Sequence, residues 1–212
     1  MNKENAKTQV AQASLLQAID DLKSGKFILV SDDSDRENEA DLVMAAQFVT
    51  IKHINFMINF GKGLICTPLS SEVAKKLNLP LMIREHEGTL ETAFTVSVDA
   101  SEGTHTGISS QDRALTITKL SDECARPEDF SRPGHIFPLI ANDGGVLKRP
   151  GHTEATLELL KLAQLKPVGV LCETLNRDGN PIKGDELLTF SKDHDLQIVS
   201  IAQLIDYLKV AK

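Results

Sequence analysis

The 212-residue chain has no Trp, one Tyr and eight Phe, so aromatic residues make up only 4%. Proteins that grip single-stranded nucleic acid stack bases on aromatic rings, and few are on offer here. Positive charge is also in the minority. The 23 Lys and Arg against 30 Asp and Glu give a formal net charge of −7, which opposes non-specific attraction to nucleic acid or anionic membranes. No apolar run approaches the roughly 18 residues of a membrane span. The opening MNKENAKTQ carries no signal-peptide core. Three cysteines, at 66, 124 and 172, form no C-x-x-C pair, which reads as reduced thiols in a cytoplasmic protein. Thirteen Gly and eight Pro are too few for a low-complexity chain, and 41% hydrophobic with 25% charged residues excludes wholesale disorder. The expectation is a globular cytoplasmic protein with neither a nucleic-acid nor a membrane partner.

Periodicity and punctuation predict alternating elements. Residues 1–9 read as a frayed tail, followed by a helix from Val10 to Gly25. Strands are expected at Phe27–Ser31, Leu42–Val49, Gly63–Leu69, Ala93–Asp99, His135–Ala141, Val168–Leu175 and Gln197–Ile201. Thr50, Ser70 or Ser71, and Ser109 open helices, and Thr153 opens one over Glu154–Leu165. A further helix lies around Glu186–Lys192. Ser200 with Gln203 forms a capping box for the last. Residues 80–92 and Arg126–Gly134 read as loops. With no repeat and no linker, residues 1–212 make one domain, layered around a mixed sheet.

Chemistry concentrates in a few places. The segment DDSDRENEAD places Asp32, Asp33, Asp35, Glu37, Glu39 and Asp41 within ten residues, beside Arg36. Extended, it would aim several carboxylates to one side, where they repel unless a cation joins them. A solvated acidic loop and a site for a hard ion such as Mg²⁺ or Mn²⁺ both fit; an EF-hand does not, because Asn38 stands where Gly is required. KRPGHTE sets Arg149, His152 and Thr153 at a helix start, suited to an anion or to simple capping. Glu173 ends the apolar run VGVLCE, where a carboxylate is costly unless paired or reactive. Cys66 is a small core residue or a site residue. His135 is a proton shuttle or a strand histidine. Thr106, Ser109 and Ser110 sit at a second helix start that needs no ligand. Together these features suggest a metal-dependent enzyme acting on a small phosphorylated sugar. A sugar-phosphate isomerase or aldolase, an acidic ion-binding module and an RNA-binding relative are the alternatives.

The stretches DDSDRENEADLVMAA, GLICTPL, HTGISSQDRALTI, RPGHIFPL, GGVLKRPGHTEA and GVLCETLNRDG, in that order across residues 27–180, resemble the 3,4-dihydroxy-2-butanone 4-phosphate synthase family of riboflavin biosynthesis. Ala40 stands where that family usually has Gly, which implies a slightly stiffer loop. Too little chain remains for the fused GTP cyclohydrolase II domain of bifunctional members, so the resemblance is to the monofunctional form. It implies an α+β fold, a three-layer α/β/α sandwich around a mixed β-sheet. It implies conversion of ribulose 5-phosphate to 3,4-dihydroxy-2-butanone 4-phosphate and formate, with two Mg²⁺ or Mn²⁺ ions per site and a homodimer whose sites draw on both subunits. By position, Glu37 and His152 match metal ligands, and Arg36 and Asp41 match substrate contacts. Arg149 and Thr153, with Pro150 and Gly151 in the backbone between them, match the phosphate cradle. Glu173 and His135 match residues needed for activity, and Asp32 and Cys66 align with active-site positions.

Overall fold

A computed structural model describes the backbone of residues 3–83 and 92–210, and side chains from residue 13 onward. The expected loop over 80–92 lies mostly outside these residues. In chain order the elements are α1 (Lys3–Lys23), β1 (Ile28–Ser31), β2 (Ala40–Ala45), α2 (Ile51–Phe56), β3 (Cys66–Leu69), α3 (Ser71–Lys76), β4 (Val98–Ala100), α4 (Ser110–Leu120), β5 (Phe130–Ile140), α5 (His152–Leu162), β6 (Gly169–Glu173), α6 (Gly184–Asp193), β7 (Ile198–Ser200) and α7 (Ile201–Val210). The strands form one mixed seven-stranded sheet in the order β4-β5-β3-β6-β2-β1-β7. The β1–β7 and β3–β5 pairs are parallel, and the remaining pairs are antiparallel.

The sheet is apolar on both faces, which is why its strands read as continuous hydrophobic runs. Leu29, Leu42, Met44, Val170 and Cys172 pack on one side with Ile54, Met57, Ile117 and Leu120. Their neighbours Ile28, Val30, Val43, Ala45 and Leu171 pack on the other with Leu15, Leu22, Leu159, Leu160 and Leu204. Strand residues alternate between the two cores, so helices cover both faces and the expected three-layer α+β sandwich is observed. Burying each such side chain is worth about 1.5–3 kcal/mol, which makes the two cores the main source of stability.

Local signals located several elements well. Ser70 accepts a hydrogen bond from Val73 N at 3.2 Å and Ser109 one from Asp112 N at 3.0 Å, so both cap helices. Ser200 and Gln203 exchange the two bonds of the capping box. Four expectations need correction. Helix α1 starts at Lys3, so the stretch expected to fray is mostly helical; it holds no Gly or Pro to stop the helix at Val10. Strand β2 stops at Ala45, and Ala46–Phe48 winds into a 3-10 turn, Val49 N donating to Ala46 O. Of the expected Ala93–Asp99 strand only Val98 and Asp99 fall in β4, which runs on to Ala100, with Phe94 and Thr95 making isolated bridges. Strand β5 begins at Phe130 and not at His135, because Phe130 and Ser131 pair with Ala100 and Asp99 across residues read as a loop.

Candidate active site

The acidic segment does not extend. Asp32 folds it into a turn: its Oδ2 accepts from Glu37 N and its Oδ1 from Glu39 N, both at 2.9 Å. Arg36 Nη1 bridges Asp32 Oδ2 at 3.0 Å and Glu37 Oε2 at 2.7 Å. Asn38 completes the turn at φ +54°, a conformation short polar residues tolerate. Asp33 and Asp35 point to solvent, whereas Asp32, Glu37 and Glu39 are partly sheltered and Asp41 is buried. The segment is therefore divided, with Asp33 and Asp35 exposed and Asp32, Glu37, Glu39 and Asp41 turned inward.

The sheet brings the remaining groups to the same end. Asp41, at the start of β2, stands opposite Glu173, at the end of antiparallel β6. Cys66, at the start of β3, stands opposite Leu171. Above them lies the N-terminus of α5. Gly151, extended at φ −108° and ψ 162°, is its N-cap, and Thr153 is not the cap expected. Ala155 N reaches Gly151 O at 2.9 Å, which starts the helix early and makes His152 its first residue. A cleft of about 150 Å³ results, lined by Arg36, Glu37, Glu39, Asp41, Cys66 and Glu173 on one side and Arg149, His152 and Thr153 on the other.

Within it His152 Nδ1 lies 3.2 Å from Glu37 Oε2. Candidate ligand atoms of Asp32, Glu37 and His152 fall within 4.8 Å of one another. Asp41 Oδ1 and His152 Nε2 are buried and lack hydrogen-bond partners. Such orphaned polar atoms are costly, so a mixed carboxylate and imidazole donor set beside them fits a divalent ion. Asp32 already spends both oxygens on the backbone and Arg36, which leaves Glu37 and His152 as the better ligand pair.

The electrostatics agree with that division. The hydrogen bond with His152 holds the Glu37 carboxyl below the usual range against the effect of burial, with Arg36 assisting. Burial pushes Asp41 up to about 7, and the neighbouring Glu173, Glu37 and Glu39 add to this. Burial disfavours the charged His152 ring, yet Asp41 and the bond to Glu37 carry its pKa up to about 9. Burial raises the Cys66 thiol, so it stands in the cleft as a neutral wall. Glu173 Oε2 accepts from Leu64 N at 2.8 Å. Gly63 is required there, since a Cβ would come within 2.4 Å of that same oxygen.

Arg149 is held by Glu154 Oε2 at 2.6 Å and by Thr92 Oγ1 at 3.0 Å. Glu154, 2% exposed, also accepts from Asn142 N, which pins the loop leading to the helix. A side chain at Gly151 would put its Cβ 2.3 Å from Arg149 Nη1. Pro150 and Gly151 thus shape the backbone between Arg149 and His152. His135 does not line this cleft; its Nδ1 pairs with Asp99 Oδ2 at 2.7 Å. Sequence reading gave Glu39 no role beyond its place in the acidic run and missed Thr92 and Phe94 in the lining, the anchor Glu154 and the partner Asp99. Of these, only Glu39 and Glu154 carried a signal, one in the acidic run and one in GHTE.

Fold and site define a class: a three-layer α+β protein whose cleft joins a carboxylate–imidazole pair fit for a divalent ion to an Arg at a helix N-terminus. The model of the 3,4-dihydroxy-2-butanone 4-phosphate synthase family matches residues 16–207, and the chain belongs to that family. It is 51% identical over 191 residues to the 3,4-dihydroxy-2-butanone 4-phosphate synthase of Wolinella succinogenes, covering 90% of this chain and 55% of that protein. It is 50% identical over 197 residues to the chloroplastic bifunctional riboflavin biosynthesis protein RIBA 1 of Arabidopsis thaliana, covering 92% of this chain but only 36% of that one. The Blochmanniella floridana synthase is 45% identical, with 91% of each chain covered. Among solved structures, a 3,4-dihydroxy-2-butanone 4-phosphate synthase in complex with two magnesium ions superimposes with a TM-score of 0.88 at 41% identity, over 92% of this chain and 96% of that one.

Proposed function

We propose that this chain converts D-ribulose 5-phosphate to L-3,4-dihydroxy-2-butanone 4-phosphate and formate, in riboflavin biosynthesis, as a lyase dependent on two Mg²⁺ or Mn²⁺ ions per site. The observation that carries the reading is the Glu37–His152 pair sharing one cleft with Asp41 and Glu173. Family membership and the likeness to a magnesium-bound synthase support it.

Glu37 and His152 hold the ions, which supply Lewis-acid polarisation of the sugar's oxygens. Arg149, Thr153 and the N-terminus of α5 bind the phosphate, the Arg as a forked donor and the helix through its exposed N–H groups. Arg36 and Asp41 contact the sugar. Asp41 or Glu173 takes the proton from carbon 3. Asp41 is poised for this, because a group titrating near 7 both accepts and returns a proton at neutral pH. The carbon 1 hydroxyl leaves as water, the chain rearranges by a 1,2-shift, and water re-enters to release carbon 4 as formate. Asp32 fixes the turn that presents Glu37, and Cys66 walls the cleft.

The protein works as a cytoplasmic homodimer with shared sites. His135 lies outside the cleft of its own chain and serves the partner's, and the exposed Leu64, Leu81, Met82, Ile83 and Ile108 supply apolar surface for the interface. Formate release by the Glu37→Ala variant tests the metal assignment. The expected loss is about 10³-fold with the circular dichroism spectrum unchanged; near-normal release removes Glu37 from the metal site.

A further inference from the structure

At the third residue of a helix an acidic side chain commonly turns back to the N-cap amide. Glu154 holds that place in α5 and does something else. The N-cap amide, Gly151 N, donates instead to Arg149 O at 2.8 Å. Both Glu154 oxygens reach out of the helix. Oε1 accepts from Asn142 N at 2.9 Å and Oε2 from Arg149 Nη1 at 2.6 Å.

These two bonds close a ring. Asn142 O accepts from Gly145 N at 2.8 Å, and Gly145 O accepts from Arg149 N at 3.1 Å. One carboxylate thereby holds the loop over 142–149 at its start and the guanidinium at its end. The carboxylate side chain is 1% exposed and that of Arg149 16%, so water competes little for either. Gly151 leaves room for the contact: a Cβ there would stand 2.3 Å from Arg149 Nη1 and 2.8 Å from Glu154 Oε2. Thr92 Oγ1, 3.0 Å from Arg149 Nη2, steadies the other arm of the fork. The arrangement has an electrostatic cost. A buried carboxylate in the first turn of a helix opposes any anion bound at that helix start.

We infer that Glu154 is a positioning residue: it aims the Arg149 fork at the substrate phosphate, although its charge opposes that anion. This rests on the functional reading above, which gives the phosphate to Arg149. A glutamine has the same shape but only one acceptor oxygen, so it cannot accept from both Asn142 N and Arg149 Nη1. Aim and charge therefore act in opposite directions in Glu154→Gln. Loss of aim weakens phosphate binding, whereas loss of a mere counter-charge strengthens it.

The test uses the ¹⁵N-labelled full chain with Mg²⁺, and inorganic phosphate as the probe. In wild type, Nη1 and Nη2 of Arg149, assigned with Arg149→Lys, should give separate, slowly exchanging NMR signals, because both arms are held. One averaged signal from wild type overturns the inference, whether or not any variant folds. Phosphate should shift the wild-type Gly151 and Thr153 amides; amides that ignore it overturn the inference too. In Glu154→Gln phosphate affinity should fall about tenfold to a hundredfold, and KM for ribulose 5-phosphate should rise with it while kcat changes by about threefold or less. Mn²⁺ affinity, read at the other end of the same cleft, should stay within about twofold. Unchanged or tighter phosphate binding overturns the inference. So does a parallel loss of Mn²⁺ affinity, which marks Glu154 as a support of the whole cleft. Wild-type protein that binds phosphate but releases no formate sinks the functional reading instead, and the phosphate affinities still decide the role of Glu154.

Discussion

His152 is the residue on which most of the site's electrostatics converge. Without metal its ring is held as the cation by Asp41 and Glu37, with its pKa at about 9. A metal ligand must be the neutral imidazole, so the ion has to displace that proton. Below about 9 the ion that His152 ligates displaces that one proton, and its affinity rises with pH by up to about tenfold per unit. Calorimetric titration with Mn²⁺ between about pH 6 and about pH 8 should show this slope, and proton release should appear as a dependence on the buffer's ionisation enthalpy. An affinity flat in pH means the ion does not engage His152. Residue-scale identity was partly legible in the sequence, because six carboxylates in ten residues are conspicuous. Their division was not. Only the turn around Asp32 separates the solvent-facing Asp33 and Asp35 from the inward Glu37 and Asp41.

Among the elements, those set by neighbouring residues were readable and those set by distant pairing were not. The Ser109 cap and the Ser200–Gln203 box depend on residues three apart, and both are present. The start of β5 depends on β4, some thirty residues earlier, and no local pattern announces a strand that runs through Pro133 and Gly134. The start of α5 was misplaced by a residue or two because Thr153 looked the better cap than Gly151. The difference matters: it puts His152 at the head of the helix and packs Gly151 against Arg149. Gly151→Ala should therefore act on the phosphate end. We expect KM for ribulose 5-phosphate to rise about tenfold or more, with kcat changed less and stability lowered by about 1–3 kcal/mol from the crowding. Steady-state kinetics with a denaturant titration check this. An unchanged KM would separate Arg149 from phosphate binding.

For the molecule as a whole, alternation of strands and helices was enough to predict layers around a mixed sheet, and two cores on opposite faces realise it. The assembly of the cleft was beyond any local rule. Glu37 and His152 are 115 positions apart, and the sheet order that joins them crosses several elements. The resemblance implies their roles, and the fold brings them into contact. The same scale carries the dimer. If His135 serves the partner's cleft, a Glu37→Ala chain and a His135→Ala chain are each inactive alone, but a mixed dimer holds one intact site. Unfolding and refolding the two together should restore about a quarter of wild-type activity, because half the dimers are mixed and each has one working site of two. No recovery from folded, dimeric mixtures would place His135 in its own chain's site, and a His135→Ala chain active alone would place it outside catalysis.

The central claim is the reaction, and one experiment reads it directly. Ribulose 5-phosphate labelled with carbon-13 at carbon 4 is incubated with the protein and Mg²⁺ and followed by NMR. The account predicts labelled formate accumulating in step with an unlabelled four-carbon phosphate, and its disappearance when EDTA removes the metal. Isomerised or cleaved sugar without labelled formate would contradict it and point to isomerase or aldolase chemistry; an unchanged substrate spectrum from folded, metal-loaded protein would contradict turnover of this substrate and put the ion-binding module first.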